Sequence, residues 1–240
     1  MTREEFLTKQ SVLQRKYFPT TKALPGVPHL LSSLKSTQTA TDTTQHVHIA
    51  LATSSHAGNF ALKTDHLSSL FSYFDGPTRV LGDDPRIPQG RGKPCPDIYL
   101  LALETVNAEI RKRNQAGGGH DKEQEVRPEE CLVFEDSVPG VEAGRRAGMQ
   151  VVWCPHPGLL NEYRGKEAEV LAGRTGMSEE QKGEKEEEAG KTDPTTGDVK
   201  KDKAGQLDDA WGRLFHSLED FPYKDYGIKI QSQGKEKENL

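Results

Sequence analysis

The run Leu132-Val-Phe-Glu-Asp-Ser-Val-Pro-Gly-Val-Glu-Ala-Gly-Arg-Arg-Ala-Gly148 narrows the possible folds more than any other part of this chain. Its first residues read as a short buried strand, and two adjacent carboxylates, Glu135 and Asp136, fall at the strand's C-terminal tip. Pro139 and Gly140 then open a helix that Gly148 closes. A strand passing directly into a helix is a unit of a parallel α/β sheet, and such sheets bind ligands beyond the carboxyl ends of their strands. Two hard oxygen donors at that edge suit Mg²⁺.

The rest of the pattern agrees with an α/β fold. Val47–Ala52, Thr78–Leu81, Cys131–Phe134 and Val151–Cys154 are strand candidates. Helical spacing is found over Thr2–Phe18, His29–Leu34, Gly58–Phe71, Pro96–Arg111 and Val138–Ala147. Strands alternating with helices of this kind predict a parallel sheet flanked by helices. Ala210–Leu218 reads as an amphipathic helix packing back on the domain. From 165 to 206 charges mix without large apolar side chains, as in Glu179-Glu-Gln-Lys-Gly-Glu-Lys-Glu-Glu-Glu188. Such a segment buries too little to offset its ordering entropy and is expected to be a disordered insert.

Composition excludes some roles. Only 33% of the 240 residues are hydrophobic and 29% are charged, so a core is feasible only if part of the chain lies outside it. A net charge of −5 favours neither nucleic acid nor an anionic membrane as partner. No apolar run approaches the ~18 residues of a membrane span, and the charged start is no secretory signal. A cytoplasmic monomer is the expectation. Cys95, Cys131 and Cys154 have no metal or disulfide spacing and read as free thiols. His46-x-His48 lacks a third ligand, and Gly117-Gly-Gly119 lacks the Lys-Ser/Thr of a nucleotide loop.

Three pieces fit one phosphate site. Thr53-Ser-Ser55 ends a strand just before a helix, where hydroxyls and backbone N–H groups suit a phosphate. Lys93, in Gly92-Lys-Pro-Cys-Pro-Asp-Ile-Tyr99, brings a point charge just ahead of a helix. Glu135-Asp136 supplies the carboxylates, though acids after a strand could equally cap a helix and complement its dipole.

In the order hydroxyl, lysine, acid pair, these pieces resemble the haloacid dehalogenase-like phosphatases. Ala50-Leu-Ala-Thr-Ser-Ser55, Val80-Leu-Gly-Asp-Asp-Pro85, Gly140-Val-Glu-Ala143 and Ala147-Gly-Met-Gln-Val-Val152 are similar to the branch that includes pseudouridine 5′-phosphatase and its fungal relatives. The resemblance implies a Mg²⁺-dependent hydrolase acting on a small phosphorylated metabolite, a sugar or nucleoside monophosphate. It implies that Thr53 hydrogen-bonds the phosphoryl oxygen and that Ser54 offers its N–H. Lys93 would neutralise the phosphoryl charge, and Ser55 and His56 would lie toward the leaving group. Asp136 would hold the metal, with Glu135 a direct or water-mediated partner. Alternatives are a sugar-phosphate phosphatase or mutase of the same branch, and a catalytically dead phosphate-binding or regulatory protein.

The family's nucleophilic Asp-x-Asp-x-Thr is missing, since no Asp-x-Asp occurs in the chain. Phe74-Asp-Gly-Pro-Thr78 has a single Asp, and Asp83-Asp84 and Asp208-Asp209 are adjacent. By resemblance, residues 1–24 are the remnant of a helical cap and linker, 25–164 the α/β core, 165–206 the insert, and 207–240 a C-terminal helix and tail. The expectation is a truncated chain that lacks the first, central strand and most of the cap, a loss of roughly 60–80 residues. An open slot between two sheet halves, poor folding and no activity would follow.

Overall fold

The computed structural model describes residues 1–38, 47–74, 76–116, 122–175 and 204–230. The elements are α1 (Arg3–Tyr17), α2 (Val27–Gln38), β1 (Leu51–Ala52), α3 (Ala57–Thr64), α4 (Ser68–Phe71), β2 (Arg79–Val80) and α5 (Asp97–Ala116). They continue with β3 (Leu132–Glu135), α6 (Val138–Arg146), β4 (Gln150–Trp153), α7 (Pro157–Glu162), α8 (Glu167–Leu171) and β5 (Gly212–Leu214).

All pairings among the described strands are parallel, and they fall into two sheets. In one, β1 lies beside β2 with Leu51 opposite Arg79. In the other, β4 lies between β3 and β5, with Val133 opposite Val151 and Val152 opposite Arg213. Successive strand residues face opposite sides, so the second sheet serves two cores. Val133, Val151 and Trp153 pack with Ile98, Ala102 and Val141, from α5 and α6. Leu132, Phe134, Val152 and Cys154 face Leu30 and Leu34 of α2 and the C-terminal Leu218 and Phe221. Phe221 is edge-on to Phe134 at 5.2 Å and stacked on Tyr226 at 5.0 Å. Helices and the C-terminal segment thus sandwich this sheet, an α/β fold as the sequence predicts.

Three differences from the sequence expectation have physical reasons. Ala210–Leu218 contains strand β5 rather than a helix: β4 offers a free edge, and Asp208 and Ala210 adopt left-handed φ values of 54° and 61° that turn the chain onto it. The segment 165–175 belongs to the folded body rather than to the insert. It contains α8, whose Val170 is 1% exposed, and Ala172 behind it is equally buried. The 58–71 helix breaks at Thr64, where a 3-10 turn over Asp65–Leu67 intervenes before α4. Most of the charged insert, at 176–203, lies outside the described residues, as do His46, Asp75 and Gly117–Gly119.

At the other end of the chain, α1 is closed by a capping box between Thr2 and Glu5, yet it buries none of its residues. Phe6, Leu7, Val12, Leu13 and Tyr17 stay exposed. After it, the Thr21 hydroxyl donates to the Lys63 carbonyl at 2.9 Å, which joins this N-terminal stretch to α3.

Candidate active site

The site forms where β1 and β3 end. Period-two alternation puts Glu135 on the same face as Val133, toward α5 and α6. There the first turn of α6 leaves room only because residue 140 is glycine: a Cβ would come within 2.0 Å of the Glu135 carboxyl carbon. Ser137 caps α6, accepting the Gly140 N–H at 3.2 Å and donating its own hydroxyl to Glu135 at 2.9 Å. The Asp136 and Ser137 N–H groups also donate to Glu135, each at 3.2 Å. On its other oxygen, Glu135 receives Lys93 Nζ and the buried Tyr99 hydroxyl.

Lys93 reaches this point from the turn before α5, following which the Lys93–Pro94 peptide is cis. Its ammonium donates to the Ala52 carbonyl at 3.3 Å as well as to Glu135, and lies 4.8 Å from the centre of the Tyr99 ring. One cation therefore ties the tip of β1 to the tip of β3. The pair is largely dry, with side-chain exposures of 9% and 6%. Burial alone would raise the Glu135 pKa. The Lys93 charge and hydrogen bond, with those of Tyr99 and Ser137, outweigh it and hold the carboxyl below its ordinary range. Tyr99 moves upward, first through burial and then through the Glu135 charge.

Asp136 has the opposite surroundings. It is exposed, and its carbonyl accepts the indole N–H of the fully buried Trp153 at 3.3 Å. Partial desolvation, then the neighbouring Glu135 charge, raises its pKa. Among the described residues no three His, Cys, Asp or Glu side chains gather as a ready metal site.

At the tip of β1, the Thr53 N–H continues the β1–β2 ladder to Val80 at 3.1 Å, and its hydroxyl accepts the Ser55 N–H at 3.2 Å. Ser54 is exposed. Its carbonyl is approached so closely by Gly82 that a Cβ there would lie 2.3 Å away. His56 precedes α3, exposed and without a side-chain capping bond. The Ser55 hydroxyl accepts from Lys63 Nζ at 2.9 Å. Both Asp83 oxygens accept the Ala57 N–H at 3.1 Å, so a carboxylate already occupies the start of α3.

The structure thus draws Lys93 and Glu135 into direct contact and sets Lys93 on the residue preceding Thr53. Asp136 follows Glu135 at the same edge. The sequence alone does not single out Tyr99, Ser137, Gly140 or Lys63 as site residues. Tyr99 and Gly140 belong to the quoted motifs, but a strand's facing direction had to be known to connect them with Glu135. Of the acids in the Phe74-Asp-Gly-Pro-Thr78, Asp83-Asp84 and Asp208-Asp209 runs, Asp83 caps α3, Asp84 pairs with Arg86 and Asp209 pairs with Arg145. His48, from the His-x-His pair, contacts Glu123 at 2.5 Å.

Residues 4–148 match the model of the haloacid dehalogenase-like hydrolases. The chain belongs to that family. It is 35% identical over 161 residues to an uncharacterized protein of Schizosaccharomyces pombe, covering 67% of this chain and 58% of that one. It is 37% identical over 174 residues to a probable pseudouridine-5′-phosphatase of Saccharomyces cerevisiae, covering 72% and 64%. With the (DL)-glycerol-3-phosphatase 1 of Arabidopsis thaliana identity is 32% over 172 residues, covering 72% and 49%. The chain therefore spans only part of the length of these relatives.

Proposed function

We propose that this chain carries the electrostatic side of a phosphomonoesterase site for a small sugar or nucleoside monophosphate. The observation that carries the reading is the Lys93 ammonium between the tips of β1 and β3, beside the Thr53 loop and the Asp136 tip. Phosphoryl transfer depends on positive charge and donors around the equatorial oxygens. Lys93 supplies the charge, with Thr53 and Ser54 lending donors and Ser55 and His56 flanking the leaving group. Mg²⁺, general in this family, would be held first by Asp136, because both Glu135 oxygens are engaged inward; its charge would neutralise the phosphoryl oxygens. Glu135 thereby serves mainly to orient Lys93, and to join the cation only through water. The names of the yeast and plant relatives favour nucleoside or glycerol phosphates as the substrate class.

Because no Asp-x-Asp occurs in the 240 residues, the attacking carboxylate would come from outside them, and these residues alone would bind phosphate without turning it over. Residues 1–24 would then be part of a helical cap over the 25–164 core, in a cytoplasmic monomer. No helix among the described residues is long and apolar enough to cross a membrane. The missing nucleophile also favours a second reading, a phosphate-binding regulatory protein. Calorimetric titration of the chain with inorganic phosphate in Mg²⁺, beside hydrolysis of p-nitrophenyl phosphate, tests both. Binding that Lys93→Met weakens at least about tenfold, without hydrolysis, is the expected result. A folded chain that binds no phosphate would sink the proposal, and turnover by these 240 residues would overturn the external nucleophile.

A further inference from the structure

Among the described residues, Lys63 is a cation that touches the Thr53-Ser-Ser55 loop and that the phosphate reading leaves unused. It lies two turns into α3, half-buried, and among the described residues its ammonium makes a single hydrogen bond, to the Ser55 hydroxyl at 2.9 Å. No carboxylate of the described residues pairs with it, in contrast to Lys93. The ammonium also lies 4.5 Å from the centre of the Phe18 ring, at the end of the N-terminal helical stretch. Its backbone is fixed from the same side: the Thr21 hydroxyl donates to the Lys63 carbonyl at 2.9 Å, and His66 Nε2 contacts the Thr21 carbonyl at 2.8 Å. Lys63 is thus held at the seam between the N-terminal stretch and the core, touching the hydroxyl loop that would face a bound phosphate.

We infer that Lys63 is a specificity-determining residue which selects phosphate monoesters whose leaving group is hydroxylated. The inference rests on the phosphate site proposed above and adds to it the side that meets the alcohol. An ammonium has three donors, and Ser55 takes one. The other two suit the closely spaced hydroxyl acceptors of a sugar or polyol. The aromatic ring of Phe18 beneath the charge keeps the ammonium in place without supplying a counter-ion, so a ligand's oxygens have no carboxylate of the described residues to displace. A short alkyl ester would leave those donors with water and gain nothing from them. Ser55, sharing its oxygen with Lys63, is oriented toward the same part of the ligand.

Three probes separate this inference from its premise: inorganic phosphate, methyl phosphate and D-ribose 5-phosphate, each titrated calorimetrically into the 240-residue chain in Mg²⁺. The unaltered chain should prefer ribose 5-phosphate over methyl phosphate. Lys63→Met should cut that preference about tenfold, the scale of one charge-assisted hydrogen bond, and Lys63→Arg should restore most of it. Lys35→Met, which removes an exposed lysine of α2, is the control for loss of a positive charge and should leave the preference intact. Thermal melts of all variants establish that they fold; if the Met variant does not, Lys63→Gln, which stays polar but loses the charge, takes its place with the same expected loss. An unchanged preference in folded Lys63→Met, or equal loss in Lys35→Met, overturns the inference while leaving the phosphate site standing. If the unaltered chain binds methyl phosphate and ribose 5-phosphate equally, the inference also fails. Failure to bind any of the three removes the phosphate site itself, and the inference with it.

Discussion

The two sheets of this molecule are built to different standards. Around β4, Val151, Val152 and Trp153 are at most 1% exposed, with helices on one face and an aromatic cluster on the other. Around β1, Leu51 and Ala52 are only half-buried, Ala50 is exposed, and the strand is two residues long. The residues proposed for chemistry are nonetheless divided between the two, Thr53 following one sheet and Glu135 and Asp136 ending the other. The β3–β4–β5 side can hold its geometry by packing. The β1–β2 side has a narrower apolar anchor, the fully buried Val80 with Ala52 beside it, and adds polar ties such as Lys93.

The largest effect should come from emptying the better-packed side. Trp153→Ala should lower unfolding free energy by about 3–5 kcal/mol, against about 1–2 kcal/mol for Leu51→Ala on the half-exposed strand. Denaturant melts of the two variants compare them directly, and equal losses would erase the contrast. Next comes the tie itself. Lys93→Met strands a buried carboxylate and should cost about 3 kcal/mol or slightly more. The double variant Lys93→Met, Glu135→Gln should recover part of that cost, and a double-mutant cycle measures the coupling.

A smaller effect follows from pH. The Glu135 pKa lies below its ordinary 4.5, so its stabilisation is complete above that value and is lost as pH falls through the depressed folded-state value. Asp136 has the reverse sign: its raised pKa costs stability above its ordinary 3.8, and protonation relieves that cost. Between about pH 5 and 3 the unaltered chain should therefore lose stability more steeply than Glu135→Gln, and less steeply than Asp136→Asn. Chemical melts at half-unit intervals would show it. Least of all should change when residues 176–203 are replaced by a short Gly/Ser linker. Arg174 Nε donates to the Gly205 carbonyl at 2.9 Å, so the two ends already meet, and the buried Arg145 holds Asp209 next to them. A shift within about 0.5 kcal/mol is expected, and a cooperative loss of the β5 pairing by amide exchange would contradict it.

Much of this arrangement could be read from local patterns, because β3, α6 and β4 combine apolar runs with explicit start and stop residues. Ser137 and Pro139 open α6, and Gly148 closes it at φ 73°. What could not be read depended on distant neighbours. Trp211, Leu214, Phe215 and Leu218 recur at helical spacing, yet the open edge of β4 turns Gly212–Leu214 into a strand. Val47–Ala52 has six strand-like residues, but β2 pairs with only two of them. In the site, the order hydroxyl, lysine, acid pair was visible as motifs. The contacts of Lys93 with Glu135 and of Lys63 with Phe18 come from side chains that meet across more than forty residues.

The indole of Trp153 has a use apart from packing. It is fully buried and bonded to the carbonyl of Asp136, whereas Trp211, the other tryptophan of the chain, is 36% exposed. An aqueous quencher would silence mainly Trp211, leaving an emission that originates directly beneath the acidic tip. The fold thus contains its own optical gauge of that tip, readable without a label whenever the surroundings of Asp136 change.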